Sequence, residues 1–237
     1  MLDLKGKTAL VIAPHPDDEV FGCGGLIHRL KSDHAKVYVL YMTVGTTLDF
    51  SAKGKTTADE RTAEIEQVAR FLKLDGYAVA FPGDRYHLKL DAAPQKELVH
   101  AIERGDDMSL QGLRPDIVLT TSGMDYNQDH RAVSEATMTA VRPTSSEHKS
   151  FQPVVLTYEL PYHQWNVTET MSTPNFLVRL TEHDLDAKLT ALALYKSQLK
   201  TPDGPLSLHG VETLAHYRGL QCGCAAAEAY CTRRIVL

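Results

Sequence analysis

Apolar runs and helical periodicity alternate along most of this chain. "TALVIA" (8–13) and "KVYVLYMT" (36–43) are short, rich in β-branched residues and almost uninterruptedly apolar. That is the pattern of strands covered on both faces. Between them Phe21, Leu26, Ile27 and Leu30 recur at helical spacing, which predicts a β-α-β unit. The polar stretch "TTLDFSAKGKTT" reads as a loop, and "ADERTAEIEQVARFLKL" gathers Ile65, Val68, Ala69 and Leu72 on one helical face. "YAVAF" reads as a strand, "APQKELVHAIER" as a helix and "PDIVLTT" (115–121) as another buried strand. A helix carrying Val133, Ala136, Thr137 and Ala140 follows. "PVVLTYEL" and "NFLVRL" read as later strands, with an antiparallel partner at the sheet edge left open. "LDAKLTALALYKSQ" and "LSLHGVETLAHYRGLQ" read as helices. Strand and helix alternate through residue 142, predicting an α/β fold: a Rossmann-like, mostly parallel sheet with helices on both faces. No repeat or low-complexity linker interrupts it, and "KTPDGPLS" (200–207) reads as a loop, so residues 1–237 are expected to form a single domain.

Composition narrows the function classes. A chain of 237 residues can bury a full core, and 43% hydrophobic with 23% charged residues is ordinary for a globular protein. A net charge of −5 and a pI near 6.1 argue against nucleic acid as a partner. No apolar run approaches the ~20 residues of a membrane span, and the N-terminus lacks a signal-peptide layout. A cytoplasmic location is therefore expected. Cys222, Cys224 and Cys231 form C-x-C-x6-C, which matches no common zinc spacing. With Cys23 they are read as free thiols.

The chemistry lies at two polar segments that follow buried strands. "APHPDDEVFGCGG" (13–25) sets His15, Asp17, Asp18 and Glu19 directly after the first strand, and Asn127, Gln128, Asp129 and His130 follow the strand ending at Thr121. Ligands of open α/β sheets bind beyond the carboxyl ends of the strands, so the topology brings both segments to one rim. His15 and Asp18, three apart around a helix start, can converge on one point, and His130 can add a second imidazole. Two histidines and a carboxylate with open positions suit a catalytic zinc or ferrous ion. Asp17 diverges from Asp18 and is free to act as a base, Glu19 falls in the first helical turn, and Asp129 can orient a ligand imidazole. The bland alternative is that these residues only cap helices. The glycines of "GCGG" lack nucleotide-loop spacing and read as close helix packing. His28, His34, His100 and His148 read as surface histidines.

These segments, in this order, resemble the PIG-L/LmbE family of zinc-dependent N-deacetylases. "APHPDDEVFGCGG" is similar to its A-H-P-D-D-E signature, and "NQDHRAVSEATMTAV" to its second block, usually H-P-D-H-R-x-V. "DERTAEIEQVARFLKL" resembles its R-x-x-E helix and "AEAYCTRRIV" its A-E-x-F ending. The resemblance implies an LmbE-like fold, His15, Asp18 and His130 as zinc ligands, and Asp17 as general base. It implies hydrolysis of an acetamide on an N-acetylglucosamine-type sugar or sugar conjugate, giving acetate and a free amine. Where the family often has histidine, this chain has Asn127, which can donate a hydrogen bond to an oxyanion, worth ~3 kcal/mol, but cannot give up a proton. The leaving amine must then be protonated by Asp17 or another histidine, for which His163 is the nominee. Arg61, Asp84 and Arg85 are candidates for binding the sugar, with surface salt bridging as the alternative; Tyr217 and Arg218 have weaker claims. Expected partners are a small amino-sugar substrate and, as an option, a second copy of the chain. Two rivals stay open: a zinc amidohydrolase acting on a non-sugar N-acyl or N-formyl amide, and a non-catalytic sugar-binding module.

Overall fold

The structure, a computed structural model, describes residues 4–48, 54–145, 149–162, 173–199 and 203–236. The chain runs through β1 (Thr8–Ala13), α1 (Asp18–Ser32), β2 (Lys36–Val44), the short strands β3 (Thr47–Leu48) and β4 (Lys55–Thr56), α2 (Ala58–Phe71) and β5 (Gly76–Pro82). A 3-10 turn at Leu90–Ala92 leads into α3 (Gln95–Arg104), α4 (Leu110–Leu113), β6 (Ile117–Thr120), α5 (Gln128–Ala140) and β7 (Val154–Tyr158). β8 (Phe176–Leu180), α6 (Glu182–Leu194), α7 (Leu208–Gln221) and β9 (Ala226–Ile235) complete it.

Seven strands form one sheet in the order β5-β2-β1-β6-β7-β9-β8. The first five are mutually parallel, whereas β9 runs antiparallel to both β7 and β8. Period-two alternation along the strands explains the layers. Ala9, Val11 and Ala13 of β1, with Val37, Val39 and Tyr41 of β2, face a core shared with α1, α2 and α6. Leu10, Ile12, Leu40 and Met42 face the opposite core, with Leu98 and Ile102 of α3 and Val133 and Ala136 of α5. Both faces are covered, which is why these strands read as continuous apolar runs.

Among the features the sequence reading missed, two concern strands. The strand β9 lies inside the sheet, and the "TTLDFSAKGKTT" stretch contains the β3–β4 pair, with Thr47 opposite Thr56. The glycines do permit close packing: a Cβ on Gly22 would lie 2.3 Å from the Tyr158 ring of β7. Among the described residues no helix is long and apolar enough to cross a membrane.

The sheet also fixes where a site can form. From β1 the chain moves outward through β2 to β5, and after returning it moves the other way through β6 to β7. The order thus reverses between β1 and β6, where ligands of such sheets bind.

Candidate metal centre and active site

The turn leaving β1 is tied down by its backbone. Pro14 O accepts from Thr43 N–H (3.1 Å) of β2, and Pro16 O accepts from the Arg61 guanidinium (2.9 Å) of α2. His15 and Asp18 are consequently buried at 7% and 3% exposure. On the other side of the reversal point, the loop after β6 ends at Asn127, whose side-chain oxygen accepts from Asp129 N–H at 2.9 Å and caps α5. His130, in the first turn of α5, is buried as well.

These three side chains meet. Asp18 Oδ2 lies 3.4 Å from His15 Nδ1 and 3.3 Å from His130 Nε2. One donor atom from each residue lies within 4.8 Å of the other two, and this is the one such group of three among the described residues. The outward nitrogens are also held: His15 Nε2 pairs with Asp129 Oδ2 at 2.9 Å, and His130 Nδ1 with Asp125 Oδ2 at 2.6 Å. Asp129 is fixed in turn by Leu90 N–H at 2.9 Å. A carboxylate on the far nitrogen orients the ring and raises its basicity, the usual support of a metal-binding histidine. The donor set therefore fits a divalent transition ion.

Electrostatics agree with the geometry. Burial works to raise the Asp18 carboxyl pKa, but the His130 and His15 imidazoles outweigh it and hold the group well below the usual carboxylate range. Burial works against a protonated His130, yet Asp18 and Asp125 override it and raise the ring to about 10. His15 is raised in the same way, against its burial, by Asp129 and Asp18. The two imidazoles already sit where positive charge is favoured.

Asp17 differs from its neighbour. It precedes α1 with φ 112° and ψ −32°, and its side chain makes no capping hydrogen bond. That φ lies in a region L residues avoid, and other contacts hold it there. The Asp17 N–H donates to Glu19 Oε2 (3.0 Å), and its carbonyl accepts from Val20 and Phe21 N–H at 3.0 and 2.9 Å. Burial, then repulsion from Asp18, lifts the Asp17 carboxyl to about 8, with Arg61 pulling the other way.

Glu19 has a larger part than a first-turn carboxylate. It is fully buried, and its Oε1 accepts from Tyr195 OH (2.6 Å) and Tyr41 OH (3.0 Å). Burial raises it to about 7 even against these hydrogen bonds.

The remaining expected residues divide, with Arg61 standing at the turn itself through its bond to Pro16 O. Arg61 is 3% exposed, and its Nε is a buried donor without a partner. Asp84 is exposed and accepts from Thr46 N–H at 2.7 Å; Arg85 is exposed and lies over the Tyr86 ring at 4.6 Å. Arg218 pairs with Glu159, its Nε at 2.8 Å. His163 and His148 lie outside the described residues. His34 and His100 are exposed, but the surface reading of His28 needs correction. Its Nδ1 pairs with buried Asp184 at 2.7 Å, because α6 packs beside that face of α1. Cys222 and Cys224 are half-buried free thiols with sulfurs 3.3 Å apart.

Sequence reasoning missed Asp125, whose signal was a carboxylate five residues before His130, and His87. The His87 ring lies edge-on to His15 at 6.0 Å, within reach of the Thr47 hydroxyl at 2.7 Å and the Thr43 hydroxyl at 3.3 Å. Burial, then His15, lowers it to about 4, so it stays neutral.

The chain is similar to known proteins along most of its length. Diacetylchitobiose deacetylase of Thermococcus kodakarensis is 28% identical over 229 residues, covering 94% of this chain and 81% of that protein. The 2'-N-acetylparomamine deacetylase of Streptomyces fradiae is 27% identical over 236 residues, covering 90% and 79%. The crystal structure of the conserved protein TT1542 from Thermus thermophilus superposes with a TM-score of 0.69 at 27% identity, covering 100% of this chain and 97% of that one. The profile of the PIG-L family, described as GlcNAc-PI de-N-acetylase, matches residues 10–141, a span that holds His15, Asp18 and His130, and the chain belongs to that family.

Proposed function

We propose that this protein is a metal-dependent N-deacetylase that removes the acetyl group from an N-acetylglucosamine-type sugar or sugar conjugate, with residues 1–237 acting as one domain. The observation that carries the reading is the buried convergence of His15, Asp18 and His130 beside an Asp17 carboxylate not engaged in capping. His15 Nδ1, Asp18 and His130 Nε2 would hold the ion, with zinc favoured by the two-imidazole, one-carboxylate donor set and ferrous iron the second choice. When bound, the ion supplies a Lewis acid for the amide carbonyl and acidifies water.

The chain's own residues do the rest. Asp17 accepts the proton of the attacking water and delivers it to the leaving amine; it must start as the carboxylate, the form that predominates above about pH 8 in the metal-free protein and that a cation held beside it would favour. Asn127 has its side-chain oxygen engaged with Asp129 N–H, leaving its amide N–H2 to donate toward the developing oxyanion. Asp125 and Asp129 keep the imidazoles in fixed orientation. Arg61, with its unpartnered buried Nε, is the first candidate for a sugar hydroxyl, ahead of the exposed Asp84 and Arg85. His163 stays a candidate for the substrate side.

The sugar class is supported by what the relatives' names state: a chitobiose and a paromamine deacetylase, in a family described by a GlcNAc conjugate. The test is acetate release by zinc-loaded protein from N,N'-diacetylchitobiose, N-acetylglucosamine, N-acetylated amino acids and formamides. The account expects turnover on the sugars and little on the others. The reverse preference would move the protein to the amidohydrolase class, and binding of sugars without turnover would make it a binding module.

A further inference from the structure

Helix α1 is broken at its centre. Cys23 has φ −147° and ψ 23°, so residues 18–22 and 24–32 are two helical pieces meeting at a kink. A kink deprives backbone groups on both sides of their partners four residues away. Here side chains replace those partners. Before the break, Phe21 O accepts from Lys188 Nζ at 2.8 Å and Glu19 O accepts from the Cys23 thiol at 3.0 Å. After it, Gly25 and Leu26 N–H donate to the two oxygens of Glu228, at 2.9 and 2.8 Å. Lys188 and Glu228 also pair with each other at 2.7 Å, and Tyr230 OH donates to Glu228 at 2.7 Å.

Both charged residues are 4% exposed. A buried ion pair is weak evidence for stability, since apolar side chains of similar volume often serve as well. What apolar side chains could not do is bond the Phe21 carbonyl and the Gly25 and Leu26 amides. The glycines of "GCGG" complete the fit: a Cβ on Gly24 would lie 3.1 Å from Lys188 Cγ, and one on Gly25 3.2 Å from Glu228 Oε1. Those two glycines seat the helix against the clamp as well as against the sheet.

The piece of helix ahead of the break carries Asp18 and Glu19, directly after Asp17. At 1.5 Å rise per residue, Asp18 lies about 7.5 Å along the axis from Cys23, so a rotation of about 10° at the kink would shift it by about 1.3 Å. A misplacement of about 1 Å is enough to cost catalysis about 100-fold.

We propose that Lys188 and Glu228 are positioning residues for the catalytic turn: by clamping both sides of the break in α1 they set the placement of Asp17 and Asp18 against His15 and His130. The proposal rests on the metal-dependent deacetylase reading for its zinc and acetate readouts, while the exchange readout is independent of it.

The test uses Glu228→Gln and the double variant Lys188→Met/Glu228→Gln, which removes both charges and so folds even where a single unpaired charge would not. Four quantities are compared with the parent protein: zinc dissociation constant, hydrogen exchange of the amides at residues 18–22, kcat and KM for acetate release, and the urea midpoint. The double variant is expected to keep a near-normal urea midpoint while zinc affinity and kcat each fall about 10- to 100-fold, the range seen when outer partners of a metal site are lost. KM should change little, and exchange at residues 18–22 should quicken. A pair that serves packing alone gives the opposite: zinc affinity and local exchange stay normal wherever the urea midpoint does. That result overturns the proposal. If the parent protein releases no acetate, the exchange measurement still decides it, and the failure belongs to the deacetylase reading.

Discussion

The turn after β1 enters its helix through Asp17 at φ 112°, with no side-chain bond to the helix amides; the turn after β6 enters through Asn127 at φ −73°, with its side-chain oxygen on Asp129 N–H. Both deliver residues of the His15–Asp18–His130 cluster, but only the second is built as an ordinary helix start. A strained backbone costs on the order of 1–3 kcal/mol, and a missing cap about 1 kcal/mol more. The first turn accepts both costs, and Glu19 holds the Asp17 amide in place. The difference separates two uses of a polar residue at a helix start. Asn127 caps its helix, whereas Asp17 makes no capping bond and, on the proposed reading, keeps its carboxylate for a proton.

The largest effects should come from two of the proposed ligands, one from each turn. Asp18→Asn removes the anionic donor and His130→Ala an imidazole, and zinc affinity should fall by more than the about 10- to 100-fold typical of outer partners. Elemental analysis after dialysis checks this, and full zinc occupancy in His130→Ala would break the assignment. Next comes Asp125→Asn, which loosens His130 from the second turn without touching the ion. Zinc affinity or turnover should fall about 10- to 100-fold, and Asp129→Asn should act similarly through His15. A chelator titration checks both.

The smallest effects are on stability and should differ in sign between the turns. Asn127→Ala loses a cap and should cost about 1 kcal/mol. Asp17→Gly relieves the positive φ and should gain about 1 kcal/mol, the lower end of such strain, while abolishing turnover. Urea unfolding of metal-free protein measures both, and equal losses would mean that Asp17 is only a cap.

Much of this was legible from residues alone. The strands β1, β2, β6 and β7 are apolar runs because helices cover both their faces, and His15, Asp18 and His130 stand out because each follows such a run. β9 was not legible: "AAEAYCTRRI" contains Glu228, Arg233 and Arg234, and the partners that allow Glu228 to be buried come from α1 and α6. Asp125 looked like a loop aspartate until the fold turned it toward His130. Glu19 meets Tyr41 and Tyr195, 22 and 176 residues away, a contact that no local pattern announces. His28 misled for the same reason, since its partner Asp184 arrives on another helix. Local periodicity shows which face is buried, but not which distant polar group will meet a buried one.

The central claim, that neighbouring aspartates divide the work of base and ligand, is tested most directly by Asp17→Asn. The substitution keeps the shape and leaves His15, Asp18 and His130 in place. Zinc content and acetate turnover should be measured on the same preparation. The account predicts full zinc occupancy with turnover lowered about 100- to 10,000-fold, the usual contribution of a general base. Near-normal turnover with zinc bound would contradict it and place the base elsewhere.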